Sequence, residues 1–151
     1  MQTKDFRIIV NEYYSINELP ETDTKLVYAA REASKNAYSP YSKFNVGAAV
    51  LLQNGETISG NNQENSVYPN GLCAERVALF YANSKFPNSK VLAIAVSAKN
   101  FNGIVPEPIS PCGSCRQALM ETEVRFQQKI LVFNGIDNLL PFAFNLHKLI
   151  P

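Results

Sequence analysis

Cys73-Ala74-Glu75-Arg76 and Pro111-Cys112-Gly113-Ser114-Cys115-Arg116 are the fragments on which the reading of this chain turns. Each sets thiols at the start of a helical pattern. From Cys73 to about Ser84, Ala74, Val77, Ala78 and Tyr81 share one face, and Leu79 and Phe80 extend the apolar surface almost all round, as in a buried helix. Ser110-Pro111 offers a capping hydroxyl and then a proline at the first helical position, predicting a helix through Met120 to about Arg125. Zinc is held tetrahedrally by thiolates and imidazoles, and Cys112 and Cys115, i and i+3 on one helical turn, point their sulfurs the same way. Cys73, opening the other helix, supplies a third. All three then sit at helix N-termini, where unpaired N–H groups favour deprotonated sulfur. The chain has no fourth Cys and its one His, His147, lies far downstream, so the fourth position is expected to be open to water. Glu75, beside the metal in the same first turn as Cys73, is placed to take that water's proton and pass it on.

The remaining elements fall around these two helices. Thr22-Asp23-Thr24 offers N-cap oxygens to a helix carrying Leu26, Ala29, Ala30, Ala33 and Ala37, which Pro40 stops. A strand from about Phe44 to Leu52 turns at Asn54-Gly55, read as a positive-φ pair, into a second from about Glu56 to Asn62. Val91 to Ala98 and Lys129 to Phe133 read as buried strands, and Phe142 to Ile150 as a short closing helix. The order α-β-β-α-β-α-β-α gives an α/β fold, with helices on both faces of one mixed sheet. Residues 1–20 read as an arm and 21–151 as the single domain that 151 residues allow.

Composition narrows the function. The chain is 46% hydrophobic and 18% charged, and its fourteen basic and thirteen acidic residues leave a net charge of +1. That balance argues against a nucleic-acid or membrane-surface binder, which needs a clustered positive excess. No apolar run reaches about 18 residues, so no membrane span is expected. The start, Met1-Gln2-Thr3-Lys4-Asp5-Phe6, has neither the basic head nor the apolar stretch of a secretion signal. A cytoplasmic location is therefore expected, where three thiols are read as chemistry and not as a disulfide framework.

Cys-x-Glu followed by Pro-Cys-x-x-Cys is the joint pattern of zinc deaminases. Over residues of about 25 to 145 the chain resembles the small homotetrameric cytidine deaminases of pyrimidine salvage, the three-cysteine zinc class of the cytidine/deoxycytidylate deaminase family. The similar stretches are Ser39 to Phe44, Val46 to Ala49, Gly60 to Asn65, Tyr68-Pro69, Cys73 to Arg76, Ser110 to Gln117, and Leu139-Leu140-Pro141 with Phe144. The resemblance implies a three-layer α/β/α fold with about five strands in its sheet. It also implies hydrolytic deamination of cytidine and 2′-deoxycytidine to uridine and 2′-deoxyuridine.

In that chemistry one zinc ion per subunit, on Cys73, Cys112 and Cys115, carries hydroxide to C4 of the base, and Glu75 is the proton shuttle. Arg76 bonds the sulfurs and withdraws charge, a role open to Arg116 as well. By resemblance Asn62 and Glu64 hold the ribose hydroxyl, Phe44 packs on the base, and the Ala74 backbone bonds its polar edge. Tyr68 and Phe144 match residues that reach a neighbouring subunit's site. Rival readings are a deaminase of another small amino-heterocycle such as an aminated nucleoside antibiotic, a nucleic-acid-editing deaminase, and a non-catalytic zinc-stabilised interaction module.

Overall fold

Alternation along one strand sets the layers. In Asn45–Leu52 (β1), Ala49 and Leu51 face one side, Val46, Ala48, Val50 and Leu52 face the other, and both sides are covered. The computed structural model describes residues 1–3, 11, 13–105 and 109–132. β1 pairs antiparallel with Thr57–Asn61 (β2) and with Val91–Asn100 (β3). Gly103–Ile104 (β4) pairs antiparallel with the end of β3, giving the order β2-β1-β3-β4.

Glu21–Ala33 (α1) packs Leu26 and Ala30 against Ala49 and Ala93 on one face. Ala74–Lys85 (α2) and Gly113–Phe126 (α3) pack Ala78, Leu79, Leu119 and Met120 against Ala48, Val50, Ile58 and Ile94 on the other. The fold is α/β, with the sheet buried between its helices.

Of the expected mixed sheet of about five strands, the described residues carry four, with antiparallel neighbours throughout. The strand expected over 129–133 shrinks to one parallel bridge, Leu131 to Ala93, held by Leu131 N–H to the Leu92 carbonyl at 2.9 Å. Val132 N–H returns to the Ile130 carbonyl at 3.0 Å, a three-residue turn that curls the backbone out of register. Phe133 and the closing helix over Phe142 to Ile150 lie outside the described residues, as does most of the 1–10 stretch of the arm.

Several boundaries also move. α1 begins at Glu21 with Pro20 at its N-cap, so Thr22-Asp23-Thr24 lies inside the first turn and caps nothing; the Thr24 hydroxyl donates back to the Ile16 carbonyl at 3.3 Å. The helix tightens into a 3-10 turn at Ser34–Asn36, leaving Ala37 extended. At the β1–β2 hairpin only Gly55 has positive φ (+85°), and Gly55 N–H bonds the Leu52 carbonyl at 2.9 Å. The turn is thus a three-residue loop closed by a left-handed glycine, and the expected positive-φ pair is absent. α2 is apolar almost all round but is not buried all round as expected, because Phe80 and Tyr81 are 50% and 55% exposed. α3 starts at Gly113 after N-cap Cys112, so Ser110-Pro111 belongs to its approach, with Pro111 buried.

Candidate active site

Two helix starts on the same face of the sheet build the site. Cys73 is the N-cap of α2 and Cys112 the N-cap of α3, both in extended backbone conformation, and Cys115 lies in the first turn of α3. The Cys73 carbonyl accepts from Val77 N–H at 3.1 Å and the Cys112 carbonyl from Arg116 N–H at 2.9 Å. The first amides of each helix are therefore left without intrahelical partners beside the sulfurs. Sγ of Cys73 and Cys112 are 3.6 Å apart, and Sγ of Cys112 and Cys115 are 3.5 Å apart. All three sulfurs lie within 4.8 Å of one another. Tetrahedral zinc with Zn–S bonds of about 2.3 Å would space its sulfurs by about 3.8 Å, so the cluster fits that ion with sub-ångström adjustment. Among the described residues no fourth Cys, His or carboxylate joins the group, which is the ligand count of a catalytic zinc site.

Charge is unevenly shared among these sulfurs. The hydrogen bond from Cys115 and those from Arg76 and Cys112 hold the Cys73 thiol down at about 5, against the opposing effect of burial. Cys115, fully buried, is pushed well above the ordinary thiol range by that same bond to Cys73 and by its burial. Without metal, one thiolate is thus stabilised by a neighbouring thiol that keeps its proton. Arg76 Nη2 lies 3.8 Å from Cys73 Sγ and 3.5 Å from the Gly71 carbonyl, tying the ligand to the turn before it. Arg116 Nε donates to the Pro111 carbonyl at 2.7 Å, which braces the turn that carries Cys112.

Glu75 is 5% exposed, and burial raises its carboxyl pKa, with the Cys73 charge adding to the rise. It faces a cavity of about 710 Å³ whose lining also includes Cys73, Ala74, Cys112, Asn62, Glu64 and Tyr68. That volume lies in the range of small-molecule sites. The Asn62 amide is engaged on both sides: Oδ1 accepts from Val46 N–H at 2.7 Å and Nδ2 donates to the Phe44 carbonyl at 3.0 Å. Glu64 Oε2 accepts from Tyr41 N–H at 2.8 Å and Ser42 N–H at 3.3 Å. The Ser42 hydroxyl and these amides lower the pKa of its carboxyl.

Of the residues singled out from sequence, the structure gathers Cys73, Cys112, Cys115, Glu75, Arg76, Ala74, Asn62, Glu64 and Tyr68 around one cavity. Phe44 is half-buried and is not part of the lining; Val46, two residues on, takes that wall. Phe144 lies outside the described residues. Sequence reasoning missed Tyr41, Ser42, Val46, Leu72 and Ile109, all part of the lining. Leu72 is adjacent to Cys73 and Ile109 lies three residues before Cys112, and that proximity to the clustered cysteines was the available signal. Tyr41 packs edge-on against Tyr68 at a centroid distance of 5.9 Å, a long-range contact that no local pattern announces.

Comparison with known proteins agrees with this geometry. Residues 20–130 match the family model described as cytidine and deoxycytidylate deaminase zinc-binding region. A cytidine deaminase of Halalkalibacterium halodurans is 46% identical over 96 residues, covering 64% of this chain and 68% of that protein. One from Mycobacterium tuberculosis is 36% identical over 135 residues, covering 87% of this chain and 96% of that protein. The crystal structure of a cytidine deaminase from M. tuberculosis superposes with a TM-score of 0.67 at 34% identity, covering 81% of this chain and 96% of that one. That of a Burkholderia pseudomallei cytidine deaminase gives 0.65 at 34% identity, covering 80% and 97%.

Proposed function

This chain belongs to the cytidine and deoxycytidylate deaminase family, and from that premise we propose that it hydrolyses cytidine and 2′-deoxycytidine to the uridine products, releasing ammonia. One juxtaposition carries the reading: three convergent sulfurs and a buried carboxyl, two residues from one of them, open on the same cavity. Cys73, Cys112 and Cys115 would hold one zinc ion per subunit, which when bound supplies the positive charge that makes water a nucleophile near neutral pH.

Glu75 does the proton work. A carboxyl whose burial raises its pKa can both accept and donate near neutrality. It takes one proton of the water that attacks C4 and delivers it to ring N3, then takes the remaining proton from the new C4 hydroxyl and passes it to the amine, so that the C–N bond breaks, ammonia leaves and C4 becomes a carbonyl. The backbone of Ala74, at the first position of α2, meets the polar edge of the base. Asn62 holds the main chain on either side of Asn45, and Glu64 keeps acceptor capacity beyond its two backbone bonds for a ribose hydroxyl. The negative charge of Glu64 repels a 5′-phosphate and so favours nucleosides over nucleotides.

The exposure of Tyr41 and Tyr68 beside the cavity, 50% and 75%, supports cover by a neighbouring copy. On this basis, and by family likeness, the working unit is a homotetramer with shared sites, to which Phe144 would contribute; a monomeric mass by light scattering would refute it. No helix among the described residues is long and apolar enough to cross a membrane, and a cytoplasmic location belongs to the same proposal, since it keeps the three thiols reduced for a metal.

The test is ultraviolet loss of cytidine with wild type and Glu75→Gln at equal zinc content. We expect zinc in both and a rate lower by roughly 10²–10⁴-fold or more in the variant. Equal turnover removes Glu75 from the mechanism.

A further inference from the structure

We infer that Gly60 is a positioning residue for the metal centre: its missing side chain lets the first turns of α2 seat against β2, and that seating brings Cys73 into bonding register with Cys112 and Cys115. The inference rests on the three-sulfur zinc reading above. Gly60 lies on β2 opposite Ala48 of β1, on the face that α2 covers. A Cβ built on Gly60 would stand 2.5 Å from Ala78 N, 3.0 Å from the Ala74 carbonyl oxygen and 3.0 Å from Ala78 Cα. These are backbone atoms of the first two turns of the helix, so no rotamer change relieves the contact. Ordinary contact begins at 3.4 Å, so this end of α2 must retreat by about 0.9 Å (3.4 − 2.5) to admit one methyl group.

The retreat falls where the chemistry is least tolerant. Ala74 directly follows Cys73, and Glu75 comes next. Cys112 and Cys115 are carried by α3, which has its own anchors in Leu119 and Met120 and would not follow. The 3.6 Å separation between Cys73 and Cys112 would therefore open by a distance well beyond the roughly 0.2 Å that metal–ligand bonds tolerate. Ala74, Ala78 and Ala82, all fully buried on the sheet-facing side of α2, are the complementary half of this close approach.

Gly47 provides the control. Its Cβ would stand 2.0 Å from the Ala30 carbonyl oxygen and 2.5 Å from Ser34 N, a clash at least as severe but against α1 and the turn after it on the opposite face, where no ligand is carried. Both glycines are needed for packing; only one of them is coupled to the sulfurs.

The experiment compares Gly60→Ala and Gly47→Ala with wild type as cobalt(II)-substituted protein, reading the sulfur-to-cobalt charge-transfer band, and as zinc protein challenged with a chelator. Wild type and Gly47→Ala should share one spectrum and one zinc retention at temperatures where both are folded. Gly60→Ala should lose roughly a third of the band, the share of one thiolate in three, with a fall in kcat on the order of 10²-fold. Should Gly60→Ala not fold, Ala78→Val overpacks the same turn from the helix side and should give the same spectral loss. A wild-type spectrum in whichever of these variants folds overturns the inference, as does an equal loss in Gly47→Ala, which would mean general loosening. Failure of wild type itself to bind cobalt or zinc would sink the metal-site reading and this inference with it.

Discussion

Asn62 separates a bracing role from a substrate role, and Asn62→Ala measures the difference. Its amide accepts from Val46 N–H at 2.7 Å and donates to the Phe44 carbonyl at 3.0 Å, so the segment before β1 is fastened to the end of β2 through one side chain. Truncation strands a donor and an acceptor of the main chain. Each stranded buried group costs about 1–3 kcal/mol, and since these are only part-buried we expect roughly 2–4 kcal/mol together. For a chain of this length each kcal/mol lowers Tm by about 2–4 °C, so the expected drop is roughly 5–15 °C. The assay is thermal unfolding of the zinc-loaded protein without nucleoside, paired with KM for cytidine. A Tm within about 2 °C of wild type would refute the brace whatever happens to KM. A large Tm drop with KM unchanged would leave the brace standing and remove Asn62 from ribose binding.

Zinc affinity should rise with pH, because Cys115 holds its proton tightly in the metal-free protein and must release it to bind, whereas Cys73, at about 5, has already done so near neutrality. Competition with a chromophoric chelator between about pH 6.5 and about pH 8 should give a change of about tenfold per pH unit for each proton displaced, and a flat profile would contradict the assignment. Glu123, 4% exposed near the end of α3, accepts from Ile130 N–H at 2.8 Å and Lys129 Nζ at 3.1 Å. Glu123→Ala should cost about 2–3 kcal/mol in urea unfolding with kcat retained; a cost under about 0.5 kcal/mol would show that water replaces the carboxylate.

Local chemistry was legible in the sequence, and its tertiary surroundings were much less so. Cys73 opens its helix as read, because an N-cap residue needs only extended backbone and a following helical run, both of which are local; the second helix starts two residues later than Ser110-Pro111 suggests, with Cys112 itself as N-cap. The hairpin was readable for the same reason, though Asn54-Gly55 did not reveal that the loop has three residues, since Asn tolerates either backbone hand. Phe80 and Tyr81 misled because an apolar side chain on a helix does not say which neighbour covers it. Of the strand expected over 129–133, the described residues show one parallel bridge, Leu131 to Ala93, because pairing depends on the edge the segment meets and Val132 N–H bonds the Ile130 carbonyl instead of a neighbouring strand. At the site, motif residues were found and the walls were not: Val46 and Tyr41 reach the cavity through the course of the 38–46 segment, which Glu64 and Asn62 pin from across the sheet edge.

The sulfurs of Cys73 and Cys112 meet across 39 residues of chain, a stretch that contains all of α2 and all of β3. An ion gripping both ends closes a loop that the unfolded polymer would otherwise leave free, and ring closures of that span are worth about 3–4 kcal/mol when covalent. The catalytic cation is in that sense also a staple, so that metal starvation in the cell would expose the protein to proteolysis as well as silence it.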